Sequence, residues 1–524
     1  MPADPAAGVV EPRTYGNWRR PTSPGLPRLG LIGTVLALLG LVTVMFVQLA
    51  AGLLPAAGVG LGVVGLLAPL AWRNRSGRNG WQVVTANVLW ALGRRRRQHV
   101  YLAGLAGPVA FGTTQLPGLL AESELLAAQN SYGEQFGLIV VPAARHYTVV
   151  LRCDPEGSQL VDTETVDAWV GMHGRWLAGL AHEPGLVACT VTVETAPDPG
   201  SRLAAEVARL LVDGAPELSR RVLTETVATY PKGSAAVSAR VALTFTAARG
   251  GGGEREGMGL RRRSTGSQPG PGRVRGREEM ATLIGARLPG LLHQLRATGA
   301  GAARAMTPAE IAETVRVAYD PAAGPAVEQL RAAGGDPGIG WAEAGPVGQL
   351  EAWDCLRHDS AASITWQMVA PPASAVQSRV LERLLAADED VDRKRVTIVY
   401  RPHSPASAAS IAHTDVRTAL GHAGAGRGET RAAESLAVQA TRQSSVEVAG
   451  GAGLTRFSIL VTATVTDPAR LPAAAEVVSQ LGAASQIRLR RCYFAQAASF
   501  TAALGVGVVL PAHVAVPDLL RDNL

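Results

Sequence analysis

Between Leu29 and Trp72 the chain carries no Asp, Glu, Lys or Arg and is dominated by Leu, Val, Ala and Gly. One bilayer crossing takes about 20 apolar residues, so this run is long enough for two. Gln48, the pair Ala50-Ala51 and Pro55 fall near its middle, where a tight turn belongs. The pattern predicts two transmembrane helices, Leu29–Val47 and Leu54–Trp72. Arginines flank both outer ends: Arg13, Arg19, Arg20 and Arg28 before, then Arg73, Arg75, Arg78 and Arg94–Arg97 after. The excess of positive charge places both ends in the cytoplasm. A cleaved secretory signal has one short apolar core and would not run at once into a second span and an arginine cluster. The expectation is a multi-pass protein of the inner (plasma) membrane, with both termini cytoplasmic.

The 524 residues leave enough chain after the hairpin for two or three domains. Of the 50 basic residues only Lys232 and Lys394 are lysines, and the formal charge is +7. An arginine-rich chain beside a membrane fits contact with anionic headgroups. The plainer reading is that the charges set topology and solvate the surface. Cys153, Cys189, Cys355 and Cys492 are far apart and lack a CxxC pairing, so neither a zinc site nor a disulfide framework is implied.

Residues 1–28 carry six prolines and read as a cytoplasmic tail. Residues 73–100 form a basic juxtamembrane segment in which Trp81–Leu92 is amphipathic and runs into Arg94–Arg97. Indole rings favour the membrane interface and guanidinium groups favour phosphate. Trp81, Trp90, Arg94, Arg95, Arg96 and Arg97 are therefore the candidate inner-leaflet residues; the alternative is a helix packed on the following domain.

A first α+β module is expected over 101–248. Its signals are a strand pair at Gly137–Val141 and Tyr147–Cys153, a helix through Leu180 and an alternating strand at Leu186–Thr195. Two helices and a strand at Ala236–Ala247 complete it. Residues 249–277 read as a flexible basic linker, with too few large apolar groups to offset ordering entropy. A second module over 278–524 opens with a helix at Glu278–Ala297. Thr307-Pro308-Ala309-Glu310 then presents a capping box with Pro at the first helical position. Strands at Ser363–Val369, Arg395–Arg401, Arg456–Val465 and Gln486–Tyr493 alternate with helices, including one at Ala375–Leu385. Thr190–Glu194 and Thr462–Asp467 are similar Thr-rich strands and suggest that the modules are pseudo-equivalent. The fold class expected is α+β: a two-helix transmembrane hairpin followed by two cytoplasmic sandwich modules, mainly antiparallel sheets with helices on one face.

Catalytic signatures are missing from the sequence. It contains no GxxxxGK[ST] loop, and Lys232 lacks the upstream glycine and preceding strand. Arg357-His358-Asp359-Ser360 collects triad residue types side by side, whereas triad members converge from separate elements. It reads as a polar segment ahead of a strand. Asp388-Glu389-Asp390 with Asp392 could offer carboxylates to a metal, but Arg393, Lys394 and Arg395 oppose it at once, which favours a charged loop. His173 sits among apolar helical positions and reads as packed. The expectation is a noncatalytic protein without cofactor or metal.

Several strings resemble an actinobacterial family of conjugation-associated membrane proteins. They are Trp18-Arg19-Arg20-Pro21, Ser131-Tyr132-Gly133, Phe136-Gly137-Leu138-Ile139, His146-Tyr147-Thr148-Val149-Val150 and Glu194-Thr195-Ala196-Pro197-Asp198. Val317-Ala318-Tyr319-Asp320-Pro321 and Val461–Pro468 extend the likeness over most of the chain. In that family the hairpin resembles PrgI and the small VirB-type inner-membrane subunit of type IV secretion systems. The soluble part resembles the N-terminal, non-ATPase portion of the VirB-type secretion ATPase. Gln496–Leu504 resembles the end of that portion, where the family usually has Pro at the place of Gly505. The resemblance implies a scaffold of a type IV-like secretion or conjugation apparatus, oligomeric within a complex. Its partners would be the lipid bilayer, a separately encoded secretion ATPase and other inner-membrane secretion subunits. Tyr493, Gln496, Phe500 and Leu504, where the motor domain would otherwise begin, are the candidate ATPase contact. The alternatives are an EccE-like component of type VII secretion and a membrane-bound enzyme of transferase type.

Overall fold

A computed structural model of the chain describes residues 13–18, 30–72, 74, 78–104, 107, 116–155, 157, 160–198, 200–230, 235–248, 274–425 and 431–514. Most of the expected tail, residues 249–273 of the expected linker, and Arg19, Arg20, Arg28, Arg73 and Arg75 lie outside them. After the short strand β1 (Thr14–Tyr15), the apolar run forms α1 (Gly30–Ala51) and α2 (Leu53–Ala71). They join at Gly52, whose φ of 90° is open to glycine and strained for other residues. The turn thus falls between Ala51 and Leu53, and Pro55 lies in the first turn of α2, where a missing N–H costs nothing. Both helices are long and apolar enough to cross a membrane, and both are almost wholly exposed on the protein. Helix α3 (Gly80–Arg95) and strand β2 (Val100–Leu102) follow.

The first half continues through β3 (Glu124–Gln129), β4 (Gln135–Val141), β5 (His146–Asp154), α4 (Thr163–Leu180) and β6 (Leu186–Pro197). Next come α5 (Ser201–Leu210), α6 (Glu217–Thr229), β7 (Ala235–Thr246), α7 (Arg277–Leu295), β8 (Ala302–Ala305), α8 (Pro308–Tyr319) and α9 (Gly324–Ala332). The second half runs through β9 (Gly348–Glu351), β10 (Leu356–His358), β11 (Ala361–Ala370), β12 (Val376–Gln377), α10 (Glu382–Leu385) and β13 (Arg393–Pro402). It ends with α11 (Pro405–Ala425), α12 (Arg431–Ala449), β14 (Thr455–Val465), α13 (Leu471–Ala484), β15 (Arg488–Arg491) and α14 (Gln496–Ala503).

The strand order is the same in both halves: β8-β5-β7-β6 in the first and β15-β11-β14-β13 in the second, every pairing antiparallel. Each is the split βαβ arrangement known as ferredoxin-like, with a helical hairpin between its second and third strands. The β3–β4 hairpin beside β5 is matched by β9–β10 beside β11, and α8 by α14. The Thr-rich strands that suggested a repeat, β6 and β14, are not counterparts. By topology β6 matches β13 and β7 matches β14.

The halves share one sheet. Strand β6 pairs with β13 from Cys189↔Tyr400 to Thr195↔Lys394, which places Thr192 opposite Thr397 at the centre of a pseudo-two-fold relation. The antiparallel α+β architecture is present, but helices cover both faces of the sheet, correcting the expectation of one. Side chains alternate along a strand, and the strands are apolar on both sides. Phe136, Leu138 and Val140 of β4 pack with Met280, Ile284 and Leu288 of α7, while Ile139 and Val141 pack with Ile311 and Val315 of α8. Val461 and Ala463 of β14 meet Ala474 and Val478 of α13, while Leu460 joins the opposite core with Phe500 and Leu504. A strand this apolar on both sides needs two covers.

The helix expected at Ala375–Leu385 is reduced to α10. Thr14 and Tyr15 pair instead with Gln377 and Val376, and Pro371-Pro372 precede the segment.

Candidate functional sites: the hairpin base and the central seam

Helix α3 starts on a capping box: Gln82 N–H donates to Asn79 Oδ1 at 2.8 Å, and Asn79 N–H donates to Gln82 Oε1 at 3.1 Å. Gly80 lies so close to Pro69 that an added Cβ would come within 2.9 Å of its carbonyl oxygen, which fixes the bend from α2 into α3. Trp81 Nε1 donates to Leu66 O at 2.9 Å, and its ring is partly exposed. Trp90 faces the other way, its ring 5.9 Å from that of Phe494 and 6.5 Å from His99. The two indoles therefore do different work: Trp81 ties α3 to α2, and Trp90 ties it to the sheet. Between them Val84, Val88, Leu89 and Leu92 form an exposed apolar stripe. Arg94, Arg95, Arg96 and Arg97 are all exposed at its end.

The chain is also fixed on the other side of the hairpin. Tyr15 O–H donates to Asp167 Oδ1 of α4 at 3.0 Å, and Asn17 Nδ2 donates to Ser444 Oγ of α12 at 2.9 Å. Residues before α1 and after α2 thus attach to the same α+β body.

The proposed partner-contact residues lie elsewhere than expected. Gln496 and Phe500 are 0% exposed and Leu504 is 1% exposed, so they form part of the protein's own interior. Gln496 accepts from Thr365 N–H at 2.8 Å and donates to Cys492 O at 3.0 Å. Phe500 lies 5.1 Å from Tyr319 and 4.9 Å from His358, ring to ring. Of the four, Tyr493 alone is partly exposed, stacked on Trp353 at 5.0 Å. These residues read as a contact because they stand where the resembled motor domain would otherwise begin, but the segment 493–510 is short, apolar and rich in small residues. It has that composition because it lies flat on a sheet.

Residues 496–509 cross the seam as a strap. Beneath it hydroxyl pairs repeat with the pseudo-symmetry: Thr148 with Thr244 at 3.0 Å, Thr365 with Thr462 at 3.0 Å, and Thr192 with Thr397 at 3.2 Å on the axis. Thr397 Oγ1 donates to Ala503 O at 2.8 Å, and Thr244 Oγ1 to Gly507 O at 3.2 Å. Gly505, with φ 73°, lies so close that an added Cβ would be 2.4 Å from Thr192 Oγ1. Proline, whose φ is fixed at about −65°, could not take this place.

Next to the axis Glu194 is held by three arginines. Arg240 Nη2 donates to its Oε2 at 2.8 Å, and Arg395 Nη2 and Arg393 Nη1 each donate to Oε1 at 2.9 Å. Arg240 also donates through Nε and Nη2 to Leu504 O, at 3.2 and 3.0 Å. Burial opposes ionisation of Glu194, but Arg395, Arg240 and Arg393 outweigh it and hold the carboxyl well below its ordinary range. One carboxylate therefore links β6 and β7 of the first half to β13 of the second and to the strap. The sequence signal was available in Arg393-Lys394-Arg395, charges inside a strand that read in sequence as the basic side of a charged loop.

His358 lies at the strap's other flank. Its Nδ1 is 2.5 Å from Tyr319 O and its Nε2 2.7 Å from Ser363 Oγ. A carbonyl can only accept, so Nδ1 carries the proton and Nε2 accepts from Ser363. Burial lowers the His358 pKa to about 4. Ser360 turns away to Asp320 at 2.5 Å, so His358, Asp359 and Ser360 do not converge. Asp392 is bound by Thr466 and Arg470, and His173 packs against Trp176 and Tyr400.

Residues 22–82 match the family model of a domain of unknown function (DUF8461), a region that takes in the apolar hairpin and the start of α3. No curated protein matches the chain.

Proposed function

We propose that the chain is a noncatalytic inner-membrane scaffold subunit of a type IV-like secretion or conjugation apparatus, with α1 and α2 spanning the bilayer and the α+β body in the cytoplasm. The observation that carries the reading is the double attachment of the hairpin. Thr14–Asn17 and α3–β2 are bound to one body, which suits a chain that leaves and returns on the same side, as two spans require. The exposed stripe Val84, Val88, Leu89 and Leu92, followed by four exposed arginines, suits a helix lying in the inner leaflet. The resembled strings at 136–139, 146–150 and 461–465 lie on buried strands, and the polar centre at Glu194 is closed over by the strap. Those features fit a protein whose work is to hold others in place, among them a separately encoded ATPase and further membrane subunits.

The test is a pull-down of the full-length protein from its host in mild detergent, with mass spectrometry of what remains bound. A VirB-type ATPase among the bound proteins is the expected result. EccB, EccC and EccD in its place would move the protein to type VII secretion, and the absence of any secretion component would sink the scaffold reading.

A further inference from the structure

We propose that Arg393 and Arg395 hold a small inorganic anion of halide size at the seam between the two halves of the sheet. Three guanidinium groups, from Arg240, Arg393 and Arg395, converge on the single carboxylate of Glu194. Arg240 and Arg395 are buried, Arg395 at 1% exposure. A guanidinium cannot shed its proton to relieve burial, so the cluster carries two positive charges beyond what Glu194 neutralises. Arg240 also donates through Nε and Nη2 to Leu504 O. Nε and Nη1 of Arg395 and Nε of Arg393 meet no acceptor among the described residues.

The other titratable groups facing Arg395 do not supply the missing charge. His358 is neutral and the Tyr319 hydroxyl is pushed up to about 12. Asp320, the next carboxylate, is engaged by Arg316 at 2.7 Å and Ser360 at 2.5 Å. Water would satisfy the free N–H groups and leave the charge excess in place, whereas an anion answers both. The surroundings are tightly packed aromatic rings that favour a small ion: the Arg395 guanidinium lies 5.5 Å over the Phe500 ring, with Tyr319 and His358 packed against that ring. Arg393, at 17% exposure and beside Gly324, is the way in from solvent.

The experiment uses full-length protein in detergent, exchanged into gluconate and titrated with bromide at constant ionic strength while thermal unfolding is followed. A saturable rise in the unfolding midpoint is expected. Arg393→Gln should weaken the apparent bromide affinity by about tenfold or more, the worth of one charge-assisted hydrogen bond. Arg209→Gln, an exposed arginine paired with Glu206, should leave it unchanged. Crystals grown in bromide provide a second readout that no variant can spoil, an anomalous peak within about 3.5 Å of the Arg393 and Arg395 nitrogens. Equal midpoints in bromide and gluconate, a response that Arg393→Gln does not alter, or bromide-soaked crystals without that peak would each overturn the proposal.

Discussion

Glu194 is the residue on which the two halves depend. Its carboxylate is the only acidic partner of three arginines among the described residues, so Glu194→Gln strands buried positive charge instead of merely deleting a bond. Breaking a buried ion pair from one side costs about 3–5 kcal/mol, and chemical denaturation of Glu194→Gln should show a loss of that order. The depressed Glu194 pKa gives stability that is present above the ordinary glutamate value and lost as pH falls through the folded value. His358 acts in a higher window. Its folded pKa of about 4 lies below the ordinary 6.5, so the unfolded chain takes up a proton first and stability falls as pH drops from 6.5 towards 4. At about 1.4 kcal/mol per pH unit, that is roughly 3 kcal/mol over the window. His358→Gln keeps a donor for Tyr319 O and an acceptor for Ser363, and cannot be charged. The variant should flatten this limb of the stability–pH curve; an unchanged slope would mean that other groups, His146 among them, carry it.

At the scale of elements, the strap of residues 496–509 is where sequence and structure part most clearly. Phe500 is fully buried between Tyr319 and His358, and truncating such a ring costs about 3–5 kcal/mol. Phe500→Ala should therefore lower the unfolding midpoint strongly with or without any partner, and a midpoint within a degree of the parent's would contradict the burial. Removing the chain after Arg491 should leave a misfolded body. Long, regularly patterned elements were legible: β4, β5, α7 and the capping box of α8, where Glu310 N–H donates to Thr307 Oγ1 at 3.3 Å, stand where their patterns predict. Strands β9 and β10 are too short to show a period, and the outer partner of β9 is β2, from distant chain. The same holds for Val376-Gln377, which is extended because Thr14 and Tyr15 lie beside it. Of the candidate site residues, Trp81 and Trp90 were legible as the ends of one amphipathic helix. That they face different neighbours was not, because only tertiary packing tells one indole from the other.

At the scale of the whole molecule, the β6–β13 pairing decides whether the chain is two modules on a string or one body. The register runs from Cys189↔Tyr400 to Thr195↔Lys394, with the Thr192–Thr397 contact at its centre, Glu194 beside it and the strap across it. Each half alone would expose a long unpaired edge, β6 or β13, of the kind that drives aggregation. The first half would also lose the cover that Leu504, Val506 and Val508 give Ala242 and Val150. A protease site placed at the exposed turn around Gly334, between α9 and β9, should therefore cut the chain between the halves without separating them. The two fragments should elute together after cleavage and unfold in one transition, whereas the halves expressed separately should be recovered as aggregate. Dissociation after cleavage, or two resolved unfolding transitions, would show that the seam is a contact between independent domains. A single transition would mean that force applied at the hairpin base, through Trp90 and Phe494, reaches β3 at the far edge through continuous sheet. The proposed scaffold role would draw on that rigidity.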